Sequence, residues 1–400
     1  VGQAVLVTES RQYVGYYDAD RRLVIASRAG STGAWDAQVL DTSIGWDSHN
    51  YVTMALDASG NLHVAGNMHA TKLNYYVTSS PGIVKTLTRV TTLVDPSLES
   101  AVTYPQFLTS STGELFFKFR HGVSGNGDEY IYRFVAPDRQ WSLVTPHGLL
   151  DGKGKSNAYT STPVLGPDGY LHMVWMWRDT PDVSTNHSLS YARTKDYVNW
   201  ENAQGATLSL PLTEATPAVV DPAPVGSGLV NGKVSLGFDS GKRVVITYAR
   251  LDSAGGNQLF ATRPDASANW QRSQITKWSG VFPISGGGSL SFPFSVGQVT
   301  PAVNGTLLVN YGCNGSGRTI ALDERSLSAI SDNPEIPQLI GTPALPPPDA
   351  NAKLKTNRST AKSGNSVFVL QWRSLSLNGD KPRAVIPAAE PLLLLEYKAE

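Results

Sequence analysis

Imidazole, phenol, amide and guanidinium groups recur at matching places along the first half of the chain. His49-Asn50 and His69 flank one short β-rich phrase. Tyr104 and Arg120-His121 flank a second, and Asn157, Tyr159 and Arg178-Asp179 flank a third, with Asn186 and His187 following in the loop DTPDVSTNHS. Asp47 and Asp179 are the only nearby acids, so the paired carboxylates of glycoside hydrolysis are missing from these corners. There is no serine in a GxSxG setting, and His49 with His69 has no obvious third zinc ligand. Cations and proton-transferring groups without a nucleophile suit removal of a carbon-bound proton beside a carboxylate, which is β-elimination on a uronic acid.

Such groups can cooperate only if the backbone brings them together. Tyr51 to Leu56 reads as a strand, Asp57-Ala-Ser-Gly60 as a tight turn tolerant of positive φ, and Leu62 to Ala65 as the returning strand. An antiparallel hairpin puts the start of its first strand beside the end of its second, so His49 and His69 become neighbours. The phrase recurs seven times, as DADRRLVIASR, DASGNLHVAGN, STGELFFKFR, GPDGYLHMVWMWR, DSGKRVVITYAR, VNGTLLVNYG and KSGNSVFVLQWR. The strand starts, Leu23, Leu62, Leu115, Leu171, Val244, Leu307 and Val367, are about 57 residues apart on average. Common propeller blades repeat every ~40 to 50, and loop insertions account for the excess. A second phrase, degenerate and Asp-box-like, ends at Trp35, Trp141, Trp200 and Trp270.

Seven units that cannot bury their faces alone stack most economically around an axis. The expectation is all-β: a seven-bladed β-propeller in which residues 1–400 form a single domain. A sandwich or two smaller β domains is the alternative. The Pro-rich stretch from Thr342 to Lys353 reads as a loop between blades, and PLLLLEYK near the end as a strand closing the ring against the first blade.

Composition narrows the partners. Lys and Arg number 33 against 33 Asp and Glu, so no overall field draws the chain to nucleic acid or an anionic membrane. No apolar run approaches the ~20 residues that span a bilayer. Cys313 is the sole cysteine, read as a small buried apolar residue, and excludes an intrachain disulfide. Sequons at Asn186, Asn304, Asn314 and Asn357 are compatible with secretion, and the expected location is extracellular.

Each candidate has a plainer reading. His63 and His172 hold the same place in NLHV and YLHM, which favours a structural role between blades. Arg120 and Arg178 could instead form interblade ion pairs, and Tyr104, before a proline, could simply pack.

The segments HNYVTMALDASGNLHVAGNMH, YPQF with FRHGVSGNGDEYIY, and GPDGYLHMVWMWRDTPDVSTNHSLSYARTKDYVNWE resemble the BNR-repeat polysaccharide lyases. These are seven-bladed propellers that include ulvan lyases and rhamnose-glucuronate lyases. The similarity is specific over residues from about 45 to 205 and architectural beyond. It implies elimination at a rhamnose-α-1,4-glucuronate linkage of an acidic polysaccharide, giving a 4,5-unsaturated uronate. His49 and His69 then match the family's two active-site histidines, Tyr104 its acid/base, Arg120 its carboxylate-neutralising arginine and Tyr159 a substrate-contacting tyrosine. Asn50, Arg178 and His187 join as substrate-binding candidates on the same edge. Either histidine or Tyr104 could be base or acid; His49 as base with Tyr104 donating to O4 is the working assignment, and His69 competes. The chemistry needs no cofactor. A structural calcium or zinc ion occurs in some relatives, but Val183 replaces a cysteine position often seen there. A monomer is expected. The competing functions are a sialidase-like glycosidase, which would need a Glu beside Tyr104 or Tyr159, and a non-catalytic glycan-binding propeller.

Overall fold

The computed structural model describes residues 2–331 and 354–398 apart from 137, 266, 268, 280, 315, 385 and 387. Among them the strands form seven antiparallel sheets in chain order, spanning 4–43, 52–90, 102–143, 157–221, 234–274, 294–331 and 354–398. Five have four strands; the fourth carries extra short strands, and the last shows three. Helix is confined to single 3-10 turns such as Val84–Thr86 and Val183–Thr185. The stretch from Thr342 to Lys353 lies outside the described residues.

The sequence pattern explains why the sheets stack. Leu62–Gly66 and Leu171–Arg178 are buried at every position, so both of their faces are covered. Their side chains pack against preceding and following sheets in turn, and a strand of that kind reads as a continuous apolar run. The packed cores accordingly sit between sheets: Leu23, Ile25 and Tyr13 meet Leu62 and Val64, Met68 and Tyr75 meet Phe117 and Phe119, and Phe116 and Ile131 meet Met173 and Trp175. Equivalent cores join the fourth sheet to the fifth and the fifth to the sixth.

His63 and His172 are structural, as their repeated position suggests. His172 bridges Asp168 Oδ1 (2.9 Å) and the Tyr191 hydroxyl (2.6 Å), and its ring lies against Phe238 of the fifth sheet. His63 likewise joins Asp57 and Tyr75 and touches Phe134 and Trp141 of the third sheet. An Asp from the tight turn, the His and a Tyr from the next strand thus satisfy one another where unpaired polar groups would be costly. The Asp57 turn has the expected chemistry: Asp57 Oδ1 accepts from the Ser59 and Asn61 amides, and Gly60 takes φ +82°.

Three expectations are corrected. The first copy of the repeat is out of phase, since Leu23 lies in the third strand of its sheet (Arg22–Ala29), whereas the other copies lie in second strands. The strand Leu393–Lys398 pairs with Ser366–Leu375 of its own sheet instead of adding to the first. The two ends meet through Ala4–Val7, which lies beside Leu354–Ser363 and Ser366–Leu375. Cys313 is only half buried, at the margin of the core between the fifth and sixth sheets.

Candidate active site

The hairpin of the second sheet pairs Val52 with Gly66, which sets its two open ends side by side. His49 and His69 emerge there with rings stacked, centroids 4.2 Å apart. Asp47 lies between them. One carboxylate oxygen meets His49 Nδ1 at 2.7 Å and the other meets His69 Nδ1. Burial works against charge on Asp47, but the hydrogen bonds from both histidines outweigh it and hold the carboxyl far below the usual range. With both Nδ1 atoms facing a carboxylate, the protons sit there and each Nε2 is left with a free lone pair. Asp47 also completes a set of three that could ligate a cation, the third partner that the spacing of the histidines did not reveal.

Tyr104 comes from the third sheet through an irregularity. Thr103 pairs with Arg120 but Gln106 pairs with Lys118, so the strand carries one extra residue at Tyr104-Pro105. Tyr104 takes φ +56°, a conformation that costs a non-glycine residue roughly 1–3 kcal/mol. Such a bulge re-aims a side chain, and here it turns the phenol toward His49, with ring centroids 5.7 Å apart. The Tyr51 hydroxyl donates to the Pro105 carbonyl at 2.9 Å and holds the bend. Burial first, then the neighbouring Tyr159, raises the Tyr104 pKa; Arg120 and Arg178 pull it back only in part.

Arg120 lies under both tyrosines, its guanidinium carbon 5.0 Å from the Tyr104 ring centroid and 5.9 Å from that of Tyr159. It is 2% exposed, and only Nη2 has a hydrogen bond, to Thr103 Oγ1 at 3.2 Å. Nε and Nη1 are buried without an acceptor among the described residues. A buried cation with two idle donors is expensive unless something anionic meets it. Among the described residues Arg120 forms no ion pair, the alternative considered for it. Asn50 is similar: its backbone carbonyl accepts from the Tyr17 hydroxyl, while its side-chain oxygen is buried with no donor.

Tyr159 completes the group, 6.1 Å from the Tyr104 ring, with its hydroxyl 2.6 Å from Ser124 Oγ. Ser124 reaches it because Gly125, at φ +82°, packs on Thr180, where a Cβ would come within 2.6 Å of backbone. Arg178, expected to bind substrate, is also braced by protein partners. Its Nε donates to Asn186 (2.6 Å), Nη1 to Tyr159 (3.1 Å) and Nη2 to Asn231, so every one of its nitrogens is tied to a protein partner and one of them holds Tyr159. Asn186 is itself buried by these bonds, so its sequon offers no accessible glycan acceptor in the folded chain. His187 joins a different group, meeting Asp179 Oδ1 at 3.0 Å, with Glu214 close enough for the three to hold a cation. His121 turns away to the Leu98 carbonyl.

Two features escaped the sequence. Asp380, in the loop of the last sheet, accepts from the Ser48 amide (3.0 Å) and the Ser289 amide (2.9 Å) and lies 3.6 Å from His49 Nδ1. It has no local motif, because its partners lie far away in sequence. Beneath Tyr104 and Tyr159 is a cavity of ≈ 390 Å³ whose wall includes a buried Lys118–Glu129 pair at 2.8 Å.

Residues 11–278 match the BNR repeat-containing family. An ulvan lyase, short isoform, of Alteromonas sp. (strain LOR) is 40% identical over 141 residues, 33% of this chain and 26% of that protein. The chain therefore spans about a quarter of the length of that relative. In solved structures it is similar to the polysaccharide lyase Uly1, with a TM-score of 0.66, 15% identity, and 95% and 88% of the two chains covered. It is also similar to a PL25 ulvan lyase bound to -[GlcA(1-4)Rha3S]-, with a TM-score of 0.59, 14% identity, and 92% and 88% covered. At such identities the likeness is one of fold, and that fold is of the β-propeller type.

Proposed function

This chain belongs to the BNR repeat-containing family, and we propose that it is a polysaccharide lyase that cleaves a rhamnose-α-1,4-glucuronate linkage by β-elimination. The observation that carries the reading is the buried Arg120 guanidinium with two unpartnered nitrogens beside two phenols and two imidazoles. A uronate carboxylate is the group such a cation lacks. The names of the Alteromonas relative and the solved lyases support the same chemistry. The seven sheets are read as the blades of one seven-bladed propeller, closed where the first and last sheets meet.

In this mechanism Arg120 neutralises the C5 carboxylate, which makes the C5 proton acidic and stabilises the developing enolate. His49 removes that proton through Nε2, while Asp47 holds its ring and tautomer through Nδ1. The released electron pair forms the C4–C5 double bond and the C4–O4 bond breaks. Tyr104, kept protonated by its environment, donates to O4. His69, stacked on His49 and tied to the same carboxylate, is the competing base. Asn50 and Tyr159 bind the sugar, with Arg178 fixing Tyr159. His187, with Asp179 and Glu214, forms an outlying group whose mixed imidazole and carboxylate donors could hold a cation, and no step above passes through it. The substrate is a polymer met outside the cell.

Incubation with a rhamnose- and glucuronate-containing polysaccharide should raise the ultraviolet absorbance of an unsaturated uronate along with new reducing ends. Reducing ends without that absorbance would replace elimination by hydrolysis, and binding without either would leave a glycan-binding propeller.

A further inference from the structure

Each of the first five junctions between successive sheets is a packed core; among the described residues neither the sixth junction nor the seam between the first and seventh sheets shows one. Inner strands touch there, and beyond them lies a cleft of ≈ 910 Å³. Its wall runs along the strand Arg22–Ala29, from Arg21 and Trp46 at one end to Arg28 and Trp35 at the other. At the ~3.3 Å rise of a strand that is a length of roughly 20 Å. Trp46 and Asp380 bring the near end to within one residue of Asp47 and into contact with the His49 corner.

The chemistry of the wall is specific. The Arg21 guanidinium lies over the Trp46 ring at 4.3 Å and that of Arg28 over Trp35 at 4.7 Å. Arg21, Arg28 and Arg383 make hydrogen bonds to carbonyl oxygens only, and among the described residues none has a carboxylate partner. The carboxylates lining the cleft are already engaged: Asp18 with Arg22, Glu390 with Arg373, and Asp380 with two backbone amides. Trp372, on the opposite wall, has a buried indole N–H with no acceptor among the described residues. Tryptophan beside uncompensated guanidinium is what a chain with apolar sugar faces and regularly spaced negative charge requires.

We infer that the seam between the first and seventh sheets is a second binding site for an acidic polysaccharide, gripping a stretch of chain next to the one at the candidate active site. The identity of the polymer rests on the lyase reading above; the cleft itself does not.

The test uses the whole chain and two substitutions remote from the catalytic group, Trp35→Ala and Arg28→Ala. Calorimetric titration with an intact glucuronate–rhamnose polysaccharide should show affinity weakened about tenfold in each, the loss of one anchoring contact. Turnover of short oligosaccharides should be unchanged, and Arg28→Lys should recover part of the affinity because the charge remains. Wild-type affinity in both alanine variants would overturn the inference. Loss of polymer binding in the variants with no unsaturated product from the wild type would uphold the seam and sink the elimination. Product formation with unaltered binding in the variants would do the reverse.

Discussion

Arg120 and Tyr104 come from adjacent strands of one sheet and meet with the guanidinium carbon 5.0 Å from the phenol centroid. The contact leaves Nε and Nη1 of the arginine idle in a buried place. Replacing Arg120 with alanine should lower turnover by about a hundredfold or more, the usual effect of losing a main oxyanion donor. The variant should unfold no more readily than wild type, because the residue lost is an under-satisfied buried charge. Steady-state rates and a thermal melt check the two halves; near-normal turnover would remove Arg120 from the mechanism.

Tyr104→Phe should abolish most activity, by roughly a hundredfold or more for a lost acid catalyst, while substrate affinity changes little. Because burial raises the Tyr104 pKa, the hydroxyl stays protonated across neutral pH. The rate should therefore show no alkaline fall from this group up to at least pH ~10, the value of a free phenol. A fall near neutrality that vanishes in Tyr104→Phe would contradict the assigned role.

Asp47→Asn tests the shared carboxylate. Its amide cannot accept from both imidazoles as the carboxylate does, and turnover should drop about tenfold to a hundredfold, with an altered acidic limb of the pH profile. Stability carries a second signature. The folded-state pKa of Asp47 is depressed, so its ionisation favours the fold above the unfolded value of ~3.9, and that contribution drains away as pH falls toward the lower folded value. Between pH ~5 and ~3 the melting temperature of wild type should thus fall more steeply than that of the variant. Parallel curves would mean that Asp47 makes no net contribution.

His63→Ala should behave in the opposite way to the active-site changes. It removes one partner each from the buried Asp57 carboxylate and the Tyr75 hydroxyl and should cost about 1–3 kcal/mol in urea denaturation. Turnover per folded molecule should stay close to wild type. A purely kinetic defect would place His63 in the chemistry.

The hairpin from His49 to His69 was legible because alternation and a turn suffice to bring its ends together. So was the meeting of Tyr104, Arg120 and Tyr159, which follows from equal corners on neighbouring sheets. The bracing of Arg178 was not legible because its three partners, Tyr159, Asn186 and Asn231, come from separate segments, and the type of a residue does not say what it is tied to. The bulge at Tyr104 showed in the sequence only as a residue before proline. The phase slip of the first copy went unseen because Leu23 and Leu62 begin strands of similar composition at different places in their sheets. Asp380 left no trace, since nothing local marks a carboxylate whose partners are Ser48 and Ser289.

That tether orders events during synthesis. The hairpin of the histidine corner can form as soon as it is made, but the group that clasps Ser48 to Ser289 emerges some three hundred residues later. Until then a nascent chain carries both imidazoles without the brace that fixes their surroundings, so competence should arrive abruptly, with the sheet that bears Asp380.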